Sequence, residues 1–215
     1  MGVFHVKQSP SQLRTLIENE IQRIGISASS TSIQSLADLI TWIAPSAHRL
    51  GLTKYSDPSQ LATQLVLPPL QLLSTHLLPL IQSPVLDFGA GCGAVGLSLA
   101  VLAPELQFVL ADRRSRVIQF VDVAIQRHGL KCAEALQVDL SDPSAAYERS
   151  FGTVLVRAYG PPSEALSQAE RWLRPGGHVA FWHQPPPSSA PDGLIRTRSE
   201  PTNLPDLVLT AYMKQ

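Results

Sequence analysis

At 215 residues the chain is one domain with an extension, or at most two small domains. Hydrophobic residues at 44% against charged residues at 16% exclude a disordered or fibrous chain and describe one that buries a core. Seventeen Lys plus Arg balance seventeen Asp plus Glu, so no global field draws the chain to polyanions, and any contact with nucleic acid has to come from a local patch. The two cysteines, Cys92 and Cys132, have a spacing that suits neither a disulfide framework nor a zinc site, so a reducing, cytoplasmic home without a metal is expected. The start MGVFHVKQSP has no apolar run, and Val6 stands where a myristoylation motif needs Ser or Thr. Between Asp57 and Asp87 there is no charged residue, yet Pro68, Pro69 and Pro79 with Gln64, Gln71 and His76 spoil a membrane span and leave a buried helical segment.

In chain order, Ser9 followed by Pro10 reads as an N-cap with proline in the first turn, and Leu13, Ile17, Ile21 and Ile24 follow at helical spacing up to Gly25. Ile33, Leu36, Leu39, Ile40 and Ile43 make a second apolar stripe that should end before Pro45. Further helix, broken at prolines, covers about 58–81, and no strand is expected before residue 84. From Pro84 the grammar changes. PVLDF, a glycine cluster, GAVGLSLAVLA and QFVLAD read as strand, loop, helix, strand. A helix over 115–128, a strand near 135–138, a strand over 153–156, a helix over 163–173 and a strand over 178–182 continue the alternation. HQPPPSSAPDG then reads as a loop and LVLTAYM as a last strand. The expectation is an α/β chain: a helical extension over 1–83 packed on an open parallel sheet over 84–215, with ligand beyond the carboxyl ends of the strands.

The strongest chemical signal is Asp87-Phe88-Gly89-Ala90-Gly91-Cys92-Gly93, after a strand and before a helix. Glycines there allow a sharp turn and a close approach of backbone to ligand. Asp87 at the strand end would repel a pyrophosphate and welcome a sulfonium or amino group. Asp112, ending the next strand, can accept both ribose hydroxyls of an adenosine. The two acids together favour S-adenosylmethionine over a dinucleotide; otherwise the segment is a packing turn with two exposed acids.

GLTKYSDP, VLDFGAGCGAVGLSLAVLAPELQFVLADRRSRVIQFV, FGTVLVRAYGPPSEAL and LRPGGHVAFW together resemble the GidB/RsmG family of bacterial methyltransferases, over about Leu52 to Trp182. The resemblance implies a Rossmann-like class I S-adenosylmethionine-dependent methyltransferase fold with a helical N-terminal extension. It also implies a guanine N7 of small-subunit (16S) ribosomal RNA as acceptor, and ribosomal RNA or the small subunit as partner of a monomeric, cytoplasmic enzyme. By position, the resemblance implies cofactor contacts at Gly89 and Ala94 in the glycine loop, Leu140 and Ser141 beside the adenine, Asp112 at the ribose, and Arg157 in place of the family's arginine before alanine. With Asp87, Gly91 and Gly93 these form the expected cofactor site. Arg157 could alternatively pair with one of the site's acids.

The chain departs from the family where members carry an Asn before LT (Gly51), an Arg-His pair (Gln64-Leu65), an Asp (Pro68), a Lys-Gly pair (His183-Gln184) and a Lys-Arg pair (Ser115-Arg116). The cofactor half thus follows the family pattern and the RNA half does not. Guanine N7 attacks through its own lone pair, so no general base is required. A small-molecule or protein acceptor, and a non-catalytic RNA-binding or ribosome-binding chain, stand as alternatives. Arg113, Arg114, Arg116, Arg171, Arg174, Arg196 and Arg198 would supply phosphate contacts if the fold gathered them on one face, and are otherwise solvated helix and loop charges. His183, at a strand end, reads as a surface histidine or as a polar contact pointing into the site, Cys92 as a small residue in a tight place, and Trp172 and Trp182 as core.

Overall fold

A computed structural model describes residues 10–141, 147–184 and 190–215. Ser9 and Val6, with their expected roles, lie outside the described residues. Helix α1 (Pro10–Ile24) buries Leu13, Ile17 and Ile21, as their spacing requires. Helix α2 (Ser30–Arg49) is capped by Ser29, whose hydroxyl accepts the Ser32 N–H at 3.0 Å. It does not end before Pro45 as expected, but runs through it. The proline forfeits one bond, to the Thr41 carbonyl, while Ile43, Ala44 and Ala47 bury the same two turns, so packing outweighs the missing donor.

The uncharged segment folds as a chain of short turns: α3 (Pro58–Leu61), a π-helical turn (Ala62–Val66), α4 (Leu67–Leu70) and two 3-10 turns (Gln71–Leu73, Leu78–Leu80). Pro68 and Pro69 stand in the first turn of α4, where a missing N–H costs least.

The sheet comprises β1 (Val85–Phe88), β2 (Phe108–Asp112), β3 (Ala133–Gln137), β4 (Phe151–Arg157), β5 (Leu173–His183), β6 (Leu194–Pro201) and β7 (Val208–Lys214), interleaved with α5 (Ala94–Leu102), α6 (Ser115–His128) and α7 (Pro162–Trp172). Its order is β3-β2-β1-β4-β5-β7-β6. The first five strands are parallel, and β7 runs antiparallel to β5 and β6. The edge strand β6 was not expected: LIRTRSEP alternates weakly and is mostly exposed, and it exists because its backbone pairs with the apolar β7. Residues 185–189 of the proline-rich loop lie outside the described residues.

Alternation along the strands sends one set of side chains to each face. Val85, Phe108, Leu110, Leu155 and Trp182 join α1, α2, α5 and α6 in one core. Leu86, Phe88, Val109, Val154 and Val156 join α7 and Trp172 in the other. Helix α5 is apolar all round and buried from Ala94 to Val101, because it lies between the sheet and α2. Among the described residues no helix is long and apolar enough to cross a membrane.

Candidate functional site

The strand order reverses between β1 and β4, and the glycine loop leaves β1 at that switch point. The N–H groups of Gly89 and Ala90 donate to the Ala111 carbonyl at 3.0 and 2.9 Å, tying the loop to β2. Gly89 (φ 82°) and Gly93 (φ 72°) are left-handed, and a Cβ on either would meet Tyr159 or Leu97 at 2.6 Å. Gly91 lies between them, also left-handed (φ 55°), where a Cβ would meet only the Gly89 carbonyl oxygen at 3.9 Å, and it donates its N–H to Asp112 Oδ2 at 3.3 Å. Ala94 opens α5, buried, and Cys92 is a buried free thiol in the loop, pushed up to about 11 by burial.

Neither acid is merely exposed. Asp87 is 5% exposed, and its Oδ2 accepts the Gly96 N–H at 2.9 Å under the first turn of α5. Burial pushes its carboxyl up to about 7, against the Gly96 hydrogen bond. Gly96 carried no functional expectation, although a glycine inside a helix signals close approach. A Cβ there would lie 2.8 Å from Asp87 Oδ2 and 2.9 Å from Leu110. Asp112 is 4% exposed, and burial would raise it, yet the hydrogen bonds and charge of Arg114 hold it below the ordinary carboxylate range. Arg114 grips it through Nε at 3.0 Å and Nη2 at 2.8 Å, an arrangement that no motif in the sequence announces.

Leu140 and Ser141 follow β3, and their carbonyls accept from Trp172 Nε1 at 3.1 Å and Arg171 Nη1 at 2.8 Å, so both are tied to α7. Arg157 ends β4 and pairs with neither acid. Its guanidinium donates to the carbonyls of Leu65, at 2.9 Å, and Gln64, in the π-helical turn. Burial lowers it to about 10. Sequence positions where the Arg-His pair was expected are therefore in direct contact with the arginine at the end of β4.

Beyond Arg157 a cavity of about 470 Å³ opens between the carboxyl ends of β4 and β5 and the preceding helical segment. Tyr55, Gln64, Tyr159, Trp182 and His183 are among its walls, and among the described residues no Asp or Glu lines it. Tyr159 meets both halves of the site: it lines the cavity and packs edge-on against Phe88 beside Gly89, with ring centroids 4.7 Å apart. His183 is not a surface residue: it is 5% exposed, with Nε2 2.7 Å from Thr210 Oγ1, because β7 covers the outer edge of β5. Trp172 and Trp182 are core residues, as expected, and Trp182 Nε1 is buried with no hydrogen-bond partner among the described residues.

The fold divides the seven arginines instead of gathering them. Arg113, Arg114 and Arg116 are exposed at the carboxyl end of β2, and Lys54 of the cavity wall is exposed as well. Arg116 Nη2 is 3.5 Å from where a Cβ on Gly51 would lie. Arg171 and Arg174 sit at the opposite end of the strands, Arg174 bonded to Gln82, and Arg196 and Arg198 lie on the edge strand β6. Among the described residues no group of three His, Cys, Asp or Glu side chains is placed to hold a metal.

A solved structure titled as a SAM dependent methyltransferase from Aquifex aeolicus matches 77% of this chain and 98% of its own, with a TM-score of 0.59 and 17% identity, which shows the Rossmann-like class I methyltransferase fold. "Ribosomal RNA small subunit methyltransferase G" of Methylococcus capsulatus is 30% identical over 164 residues, covering 76% of this chain and 77% of that protein. The protein of the same name from Psychromonas ingrahamii is 28% identical, over 76% and 78%. The family model described as rRNA small subunit methyltransferase G matches residues 32–184, a span that takes in the glycine loop, both acids, Arg157 and most of the cavity wall, and the chain belongs to that family.

Proposed function

We propose that the chain transfers a methyl group from S-adenosylmethionine to N7 of a guanine in small-subunit ribosomal RNA. The observation that carries this reading is the junction at Tyr159: a glycine loop flanked by two buried acids on one side, and on the other an aromatic-walled cavity that no Asp or Glu of the described residues lines. The residues fit the donor chemically. Asp87 offers a carboxylate to a cationic centre, Asp112 to ribose hydroxyls, and Gly91, without a side chain, lets a ligand approach the backbone. Gly89, Gly93 and Ala94 shape that loop, while Leu140 and Ser141 hold the segment proposed to flank the adenine. When bound, the cofactor supplies an electrophilic methyl group.

The chain's own part is positioning. A cavity of about 470 Å³ is within the range that encloses a base-sized ligand. Its aromatic walls offer planar faces on which an unstacked base can rest. Guanine N7 presents its own lone pair, so walls without Asp or Glu lack nothing the reaction needs, and rate comes from holding nucleophile and methyl in line. Arg157 positions the wall through the Gln64 and Leu65 carbonyls and, pairing with neither acid, does not compete with the donor for them. The helical segment before β1 forms the far side of this cavity through Lys54, Tyr55, Gln64 and Leu65, and a ribosomal acceptor implies work in the cytoplasm.

A small-molecule acceptor is favoured by one observation: Gln64 and Leu65 occupy the wall with uncharged side chains. Tritiated methyl transfer to intact small subunits, free ribosomal RNA and a cell extract separates the readings. Label should appear in RNA as 7-methylguanosine after nuclease digestion. Donor binding with no label in RNA in any assembly state would overturn the RNA reading, and label in the small-molecule or protein fraction would establish the other acceptor.

A further inference from the structure

The Asp112 carboxylate has about four acceptor positions, and four donors already fill them. Oδ1 accepts the Arg114 backbone N–H and Nε, each at 3.0 Å, and Oδ2 accepts Arg114 Nη2 at 2.8 Å and the Gly91 N–H at 3.3 Å. A ribose diol needs two of those positions. The two backbone donors are fixed, one by the glycine loop and the other by the entry to α6, where Arg114 is the N-cap residue. The guanidinium is the donor that can leave: its side chain is 57% exposed, against 6% for Asp112, so it can swing into water without unfolding anything. A half-exposed ion pair contributes little to stability, whereas hydroxyls that donate to a buried carboxylate contribute more.

We propose that Arg114 and the ribose of the methyl donor compete for the Asp112 carboxylate, so that a nucleoside with free 2′ and 3′ hydroxyls enters by displacing the guanidinium and Arg114 sets donor affinity. This rests on reading Asp112 as the ribose acceptor. The released guanidinium then stands at the mouth of the donor site beside Arg113 and Arg116.

Calorimetric titration of S-adenosylhomocysteine into the parent, Arg114→Ala, Asp112→Ala and the double variant tests it, with the fold of each checked by circular dichroism. Arg114→Ala should bind about 2- to 5-fold tighter than the parent, the scale of a surface ion pair. Asp112→Ala should bind more weakly, and removing Arg114 in that background should change nothing further. Raising salt should tighten binding to the parent and leave Arg114→Ala unaffected. Arg114→Lys, which keeps the charge without the two-pronged grip, should fall between. Unchanged or weaker binding by Arg114→Ala, with Asp112→Ala impaired, overturns the competition and makes Arg114 a spectator or a support for the carboxylate. Parental binding by Asp112→Ala overturns the ribose assignment and the competition with it, and absence of binding by all four proteins overturns the donor reading itself.

Discussion

At Asp87 burial outweighs the Gly96 hydrogen bond and lifts the carboxyl to about 7, above the value of about 3.9 it has in an unfolded chain. The folded state therefore binds the proton more tightly, so this group's contribution to stability is complete below about pH 4 and is lost as pH rises to about 7. Asp87→Asn keeps the shape and cannot ionise. Its thermal midpoint relative to the parent should rise by several degrees between pH 5 and 8, and a difference that stays constant over that range would show that Asp87 is ionised at little cost. Donor binding should run the other way. A cationic ligand favours the ionised carboxylate, so parental affinity for S-adenosylmethionine should climb from pH 5.5 to 8 with proton release on binding near the lower end, and in Asp87→Asn it should be weak and flat.

At the scale of elements, α2 shows a local rule overruled by packing. Pro45 withdraws one hydrogen bond from the Thr41 carbonyl, yet the helix continues because Ala44 and Ala47 are fully buried on its inner side. Pro45→Ala should restore that bond and raise the unfolding free energy by about 1–3 kcal/mol in urea titrations, the interior cost of proline less the gain it brings by restraining the unfolded chain. No change would mean the proline is accommodated without loss. The same competition explains what could be read in the sequence. The parallel strands are continuous apolar runs, so 85–88, 108–112 and 153–156 were legible, and the glycine loop announced itself between a strand and a helix. The edge strand β6 was illegible because it owes its form to hydrogen bonding with β7 and not to its own pattern. In the site, Asp87, Asp112 and Arg157 stood out by type and place. Their partners did not: the Gly96 amide, the folded-back Arg114 and the carbonyls of a π-helical turn 92 and 93 residues from Arg157 are set by three-dimensional packing.

Over the whole molecule, equal numbers of acidic and basic residues leave affinity for RNA to local charges, of which Lys54 on the cavity wall and Arg113 and Arg116 after β2 are exposed. Replacing these three by alanine should lower RNA affinity and flatten its dependence on salt by about 0.7 to 0.9 in logarithmic slope for each phosphate no longer neutralised, with S-adenosylhomocysteine binding unchanged. An unaltered salt slope for subunit or RNA binding would show these charges to be solvated surface only. The enclosure of α5 has a consequence for the order in which this chain can fold. A nine-residue helix without a polar face is poorly soluble and marginally helical alone, so it gains its conformation only when the sheet covers one side and α2 the other. Those covering elements come from opposite sides of it in the chain, α2 and β1 before it and β2 after it. The loop at its N-terminus is therefore assembled by long-range collapse, after the ribosome has released both flanks, and a nascent chain has no donor site until its strands have closed around that helix.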